Sequence, residues 1–190
     1  YSQDDVIALA RIFTGWGIDL SGKKKNKQGF VFHQDRHDSQ DKVFLGQQIS
    51  VNGIQEGERA LDILANHPAT AQNISYKLAQ YFVADEPPLS LVDLLTQQFL
   101  DSKGDIKAVL DTLIHSSEFN SPQYHKQKFK TPHQYLISLV RMGEIESPNI
   151  KRIQGMLKKL SMPVYRCSSP TGYKNTSSAW LNPQAMLQRT

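Results

Sequence analysis

The run Leu61-Asp62-Ile63-Leu64-Ala65-Asn66-His67-Pro68-Ala69-Thr70 constrains this chain more than any other stretch. Proline in a helix interior removes a hydrogen bond and clashes with the preceding turn, but at the first helical position its missing N–H and fixed φ cost nothing. One helix must therefore end before Pro68 and another begin at it, with Asn66 or His67 as the cap. The upstream helix, from Ile54, places Leu61, Leu64 and Ala65 on one side. The downstream helix, 68 to 83, carries Ala71, Ile74, Leu78, Tyr81 and Phe82 at helical spacing and is predicted to bury that stripe. Two long helices joined by so short a corner imply an antiparallel, bundle-like core.

Similar punctuation marks the rest of the chain. Ser2 with Asp5 three residues on reads as a capping box opening a helix over 3 to 14, with Gly15 and Gly17 ending it. Ser90 with Asp93 opens another, closed by Gly104, and Asp105 caps a further one through Ile106, Val109, Leu110, Leu113 and Ile114. Thr131-Pro132 with Gln134 and then Ser147-Pro148 start two more, and Ser177 to Arg189 returns to helix. Phe30-Val31-Phe32 and Val43-Phe44-Leu45 are the β-prone runs, flanked by Gly29 and Gly46. The expected fold is all-α: a multi-helix, bundle-like domain of seven or eight helices with one short β-hairpin or extended excursion near 29–46. A single domain over 1–190 is expected, with a first helix over 1–17, a loop or hairpin insertion over 18–53 and a helical core over 54–190.

The 39% hydrophobic content supports a packed core, and no apolar run nears the roughly 20 residues of a membrane-spanning helix. The net charge of +4 is modest, and four lysines are concentrated at Lys23, Lys24, Lys25 and Lys27 between Gly22 and Gly29. A nucleic-acid face needs cations spread along one surface with aromatics between them, so no nucleic-acid partner is expected. One cysteine, Cys167, excludes an internal disulfide. It also lacks a local base or a Gly-x-Ser-x-Gly elbow, so it reads as a packing or loop residue. Asn73-Ile74-Ser75 and Asn175-Thr176-Ser177 match the glycosylation triplet, the first in mid-helix and the second on a very common pattern. Phosphate-cradling glycine loops, Gly-x-Gly-x-x-Gly turns and His-Glu-x-x-His helices are absent from the sequence.

The one stretch dense in chemistry is His33-Gln34-Asp35-Arg36-His37-Asp38. Together with His67 it offers imidazole and carboxylate groups of the kind that bind zinc, iron or manganese, or that form an acid–base pair. His33, His37, Asp38 and His67 are therefore the candidate metal ligands, with a divalent metal as the only cofactor they suggest and no catalytic residue assigned. The alternative is structural: the same groups hydrogen-bond backbone around the loop and the start of the 68 to 83 helix.

Thr14-Gly15-Trp16, Phe30-x-Phe32 with His37-Asp38, and the corner His67-Pro68-Ala69-Thr70-Ala71 with Lys77-Leu78 and Tyr81-Phe82-Val83 carry a resemblance. So do Gly104-Asp105-Ile106 with Ser117-Glu118-Phe119, and Ser169-Pro170-x-Gly172-Tyr173 with Trp180-Leu181-Asn182-Pro183. In these, nearly throughout its length, the chain resembles the bacterial family called domain of unknown function 1800. The resemblance implies a longer, exported parent protein of which this is a C-terminal portion, hence an extracytoplasmic setting. Its partner would be the N-terminal part of that parent or another envelope protein. It implies no reaction, so the expected role is a binding or scaffold module, the alternative being a metal-dependent or acid–base enzyme whose site joins His37, Asp38 and His67 to residues outside this chain. Gln40, where the family usually has glycine, and Arg166-Cys167-Ser168, in place of a more proline-rich run, depart from the pattern.

Overall fold

Helix starts that can be capped and short strands that can be paired set the architecture seen in the structure, a computed structural model that describes residues 1–19, 29–50 and 52–187. The lysine cluster at 23–27 lies outside the described residues, as does the end of the chain at 188–190. Among the described residues the chain is mainly helical, with nine helices and two small antiparallel hairpins. It forms two compact units, Tyr1–Thr70 and Ala71–Thr190.

In the first unit, α1 (Gln3–Ile12) begins at the Ser2–Asp5 capping box: Asp5 N–H donates to Ser2 Oγ, and Ser2 N–H donates to Asp5 Oδ2 at 2.6 Å. The other Asp5 oxygen accepts the Leu45 N–H at 2.8 Å. That bond ties the helix to the turn between β3 (Lys42–Phe44) and β4 (Gln47–Ile49), whose central residues Leu45 and Gly46 both have positive φ. A two-residue hairpin turn of this hand requires such a backbone, and leucine adopts it only under constraint, which the Asp5 carboxylate supplies.

The two β-prone runs find different partners. Phe30–Phe32 (β2) pairs with Trp16–Ile18 (β1), Trp16 opposite Phe32, while Lys42–Phe44 pairs with Gln47–Ile49. The first helix therefore stops two residues earlier than the spacing predicts, because Gly15 at φ +84 turns the backbone into β1. α2 (Ile54–Ala65) closes the unit over a core of Ala8, Ile12, Phe44, Ile49, Ala60 and Ile63. Leu61 is not on its buried side. Gly57 of α2 lies against the Trp16 indole so closely that a Cβ there would stand 2.2 Å from Trp16 Cζ2.

The corner folds as its proline requires. α2 ends at Ala65, α3 (Pro68–Phe82) starts at Pro68, and the Ala69 N–H donates to His67 Nδ1 at 3.1 Å. Thr70 Oγ1 donates back to the Leu64 carbonyl at 2.7 Å, satisfying one of the acceptors that the end of α2 leaves open.

In the second unit, α3 from Ala71 onward packs with α4 (Leu89–Asp101) and α5 (Ile106–His115) around Leu91, Leu95, Phe99, Val109 and Leu113. The α3 stripe is rotated from the predicted one. Ala71, Ser75 and Ala79 are buried, whereas Tyr81 and Phe82 stay 46% and 43% exposed and meet edge to face. The small side chains Ala71, Ser75 and Ala79 occupy the buried line of the helix, and Tyr81 and Phe82 lie off it. α4 starts at Leu89, one residue before Ser90, with Pro88 in the cap position, so Ser90 is not a cap; its hydroxyl donates to Glu118 Oε1 instead. Thr131 and Gln134 form the predicted capping box of α6 (Pro132–Met142). α7 (Ile150–Lys159) is capped by Asn149, two residues beyond the predicted Ser147. Leu136, Leu157 and Leu160 join α6 to α7, and the short helices α8 (Ser177–Trp180) and α9 (Pro183–Leu187) follow.

Candidate functional site

The polar stretch singled out in the sequence is not helical throughout: Gln34–Arg36 makes one tight turn, flanked by His33 and His37 in extended conformations. That turn sends the His37 ring inward, where its side chain is 1% exposed. His37 Nδ1 donates to the Thr14 carbonyl at 2.8 Å, and Nε2 stands 3.1 Å from Glu56 Oε1. The second Glu56 oxygen accepts from Lys42 Nζ at 2.7 Å, and neither of those side chains is exposed. Lys42 Nζ also donates to the Asp38 carbonyl at 2.6 Å.

The Asp38 carboxylate closes the network on α1. Arg11 Nε donates to Oδ2 at 2.9 Å and Arg11 Nη2 to Oδ1 at 3.2 Å, a forked pairing that fixes both groups in orientation. Gln40 takes part as well: its N–H donates to Asp38 Oδ1 and its side-chain oxygen accepts from Arg11 Nη2. Thr14 anchors the centre, its hydroxyl donating to the Arg11 carbonyl at 2.6 Å and accepting the Asp38 N–H at 2.8 Å. One connected set of hydrogen bonds thus joins α1, the 33–42 segment and the first turn of α2.

Two carboxylates face the Arg11 guanidinium, the Lys42 side chain and one imidazole in this network. Burial pushes the Glu56 carboxyl up, but hydrogen bonds from Lys42, His37 and the Asn52 N–H outweigh it and leave the group below its ordinary value. Arg11 chiefly, with the Gln40 N–H, holds Asp38 well below the usual carboxylate range. The Thr14 carbonyl can only accept, so His37 Nδ1 carries a hydrogen, while Nε2 is turned to Glu56 Oε1. Each nitrogen of the His37 ring is therefore committed to an oxygen of the protein.

The four predicted site residues divide. His37 and Asp38 belong to the network. His33 donates its backbone N–H to Gly15, with its ring near Gly17, and His67 caps α3. Among the described residues no group of three or more His, Cys, Asp or Glu side chains is placed to hold a metal ion. Arg11, Thr14, Lys42 and Glu56 complete the site, and sequence reasoning did not single them out. Lys42 carries a readable signal: along β3 the charged Lys42 and the aromatic Phe44 face inward while Val43 faces out, the reverse of an ordinary half-buried strand. Glu56 has none, since an acidic residue in the first turn of a helix is usually a solvated partner of the helix dipole.

A family model described as "Protein of unknown function (DUF1800)" matches residues 1–190, the whole chain. No curated protein and no solved structure matches it.

Proposed function

We propose, from the premise that this chain belongs to the DUF1800 family, that it serves as a binding or scaffold module of a larger exported protein, with the Arg11–Asp38–Lys42–Glu56–His37 network as its brace. The observation that supports this reading is burial. The side chains of His37, Lys42 and Glu56 are at most 1% exposed and each is hydrogen-bonded to another group of the chain. A general acid, base or metal ligand has to present an atom to a substrate or ion, and these atoms are already engaged. The network instead fixes the 33–42 segment between two helices. The partner on this reading is the N-terminal part of the parent chain or another extracytoplasmic envelope protein. No helix among the described residues is long and apolar enough to cross a membrane.

Elemental metal analysis of the untagged chain beside His37→Ala, with thermal melts of both, tests the proposal. Expected are no stoichiometric metal in either protein and a lower melting temperature in the variant. Stoichiometric metal in the parent that disappears in His37→Ala would overturn the brace and support a metal enzyme built on His37, Asp38 and His67.

A further inference from the structure

We infer that an open groove in the second unit, with a volume of about 690 Å³, is a binding site for a neutral oligosaccharide. This rests on the binding-module reading and names its ligand class. The volume lies within the roughly 300–1,000 Å³ of small-ligand sites, but the lining is polar where most such sites are apolar.

Tyr76 of α3 and Tyr124 supply two aromatic rings to the groove; Gln80, Gln123 and Gln127 supply amides, and Thr176 and Ser178 hydroxyls. Several of these groups have no partner among the described residues. Among the described residues the Tyr76 and Tyr124 hydroxyls, the Gln123 amide and the Glu86 carboxylate make no hydrogen bond or ion pair. Gln80 and Gln127 each donate through Nε2 to a backbone carbonyl, of Asp85 and Gln123, which leaves their side-chain oxygens open. The contrast with the first unit is chemical: there every polar group of the network is used, whereas here, although Thr176 and Ser178 bond each other, two phenols, an amide, a carboxylate and two further amide oxygens stay open among the described residues.

The groove wall is held in place by the one carboxylate in it that is engaged. Asp85 accepts from Lys128 Nζ and from the Ser177 N–H, and Lys128 Nζ reaches on to the Asn175 carbonyl at 2.9 Å. The Asn175–Ser178 wall is thus tied to the turn after α3, and a ligand meets a formed site rather than one it must order.

The lining also says which ligand. It contains no lysine, arginine or histidine, and Lys128 behind the wall is paired with Asp85, so phosphates, nucleotides and acidic peptides find no free counter-charge. Amides and hydroxyls both donate and accept, as the paired hydroxyls of a pyranose do, and a carboxylate accepts from two neighbouring hydroxyls at once. Tyrosine faces complement the C–H face of a sugar ring while their hydroxyls stay available for hydrogen bonds. A cationic peptide could pair with Glu86 and hydrogen-bond the amides through its backbone, so hexalysine is the comparator that separates the two ligand classes.

Calorimetric titration of the 190-residue chain with cellohexaose, chitohexaose and maltohexaose, with hexalysine and inorganic phosphate as comparators, tests the inference. One or more of the sugars is expected to bind saturably. Glu86→Gln and Gln123→Ala, both at exposed positions, should each weaken that binding about tenfold, the value of one charged or multiply made hydrogen bond, with unchanged melting curves. No saturable binding of any sugar at millimolar concentration, binding indifferent to both variants, or preferential binding of hexalysine or phosphate would overturn it. These outcomes are separable from failure of the brace, which is read from metal content and is independent of the groove.

Discussion

Glu56→Gln is the sharpest test of the brace, because it changes charge and one hydrogen-bonding sense while keeping the shape. The carboxylate accepts from Lys42 at 2.7 Å, His37 at 3.1 Å and the Asn52 N–H at 3.2 Å. An amide offers one acceptor and one NH2. If its oxygen stays with Lys42, the NH2 meets His37 and Asn52; if it stays with them, the NH2 meets an ammonium. In the first case the buried Lys42 charge exchanges an anionic partner for a neutral amide oxygen, and in the second it keeps only the Asp38 carbonyl at 2.6 Å and a carboxylate oxygen at 3.8 Å. Removing one partner from a buried pair costs about 3–5 kcal/mol. For a cooperative chain of this size that is a drop in Tm of roughly 6–20 °C. Circular dichroism melts at pH 7 read it, with the exposed Glu58→Gln as a control expected to change stability by no more than about 0.5 kcal/mol. Lys42→Met combined with Glu56→Gln should cost less than the two single changes added together, because the orphaned charge is then gone. A Glu56→Gln loss under about 1 kcal/mol, or strict additivity in that cycle, would refute the claim that the network braces the first unit.

Other expectations follow from the same geometry. Gly57→Ala would ordinarily stabilise a helix interior, but its Cβ would fall 2.2 Å from the Trp16 ring, so it should destabilise by about 1–3 kcal/mol; a rise in Tm would show that Trp16 moves aside freely. His67→Ala removes the acceptor of the Ala69 N–H and should cost about 1 kcal/mol, measured by chemical denaturation, an unchanged midpoint counting against the capping role. On acidification, Asp38 is held low chiefly by Arg11 and Asp5 chiefly by the Ser2 N–H, while for Glu56 and Asp85 hydrogen bonds outweigh the burial that raises them. All four bind a proton more readily when unfolded. Their contribution is thus full above the ordinary carboxylate range near pH 4 and is lost as pH falls through the lower folded values, so Tm should be level from pH 7 to 5 and then fall. A Tm unchanged down to pH 2.5 would contradict this.

How much of the fold was legible follows from where local chemistry decides the outcome. Ser2 with Asp5, Asp105, Thr131 with Gln134, and Pro68 act within one turn of themselves, and each starts a helix where its sequence predicts. Ser90 and Ser147 carry the same local signal, yet Pro88 and Asn149 take the cap positions. The α3 face shows the same limit: aromatic residues at helical spacing look like core, but Ala71, Ser75 and Ala79 are buried and Tyr81 and Phe82 are not, a choice made by packing with residues distant in sequence. Strand pairing is likewise non-local. Phe30–Phe32 was visible as a strand, but its partner Trp16–Ile18 lies where Gly15 and Gly17 read as a helix end.

The site was half legible for a reason specific to buried ion networks. His37 and Asp38 stand out because imidazole beside carboxylate is uncommon and chemically loaded. Arg11, Lys42 and Glu56 do not, because each is a common surface residue and becomes unusual only when α1, β3 and α2 bring it to zero or partial exposure. A functional interpretation built on the conspicuous pair alone leans toward metal or acid–base chemistry, since a histidine without known partners has two nitrogens to offer. Supplying Thr14 and Glu56 commits both nitrogens, and the same residues that looked like ligands become the means of fixing a loop between two helices. The groove of the second unit shows the complementary failure. Its glutamines, tyrosines and hydroxyls run from Tyr76 to Ser178 on the chain and none is conspicuous singly, so only the fold reveals that the tyrosine hydroxyls and glutamine oxygens leave hydrogen-bonding capacity open in one place.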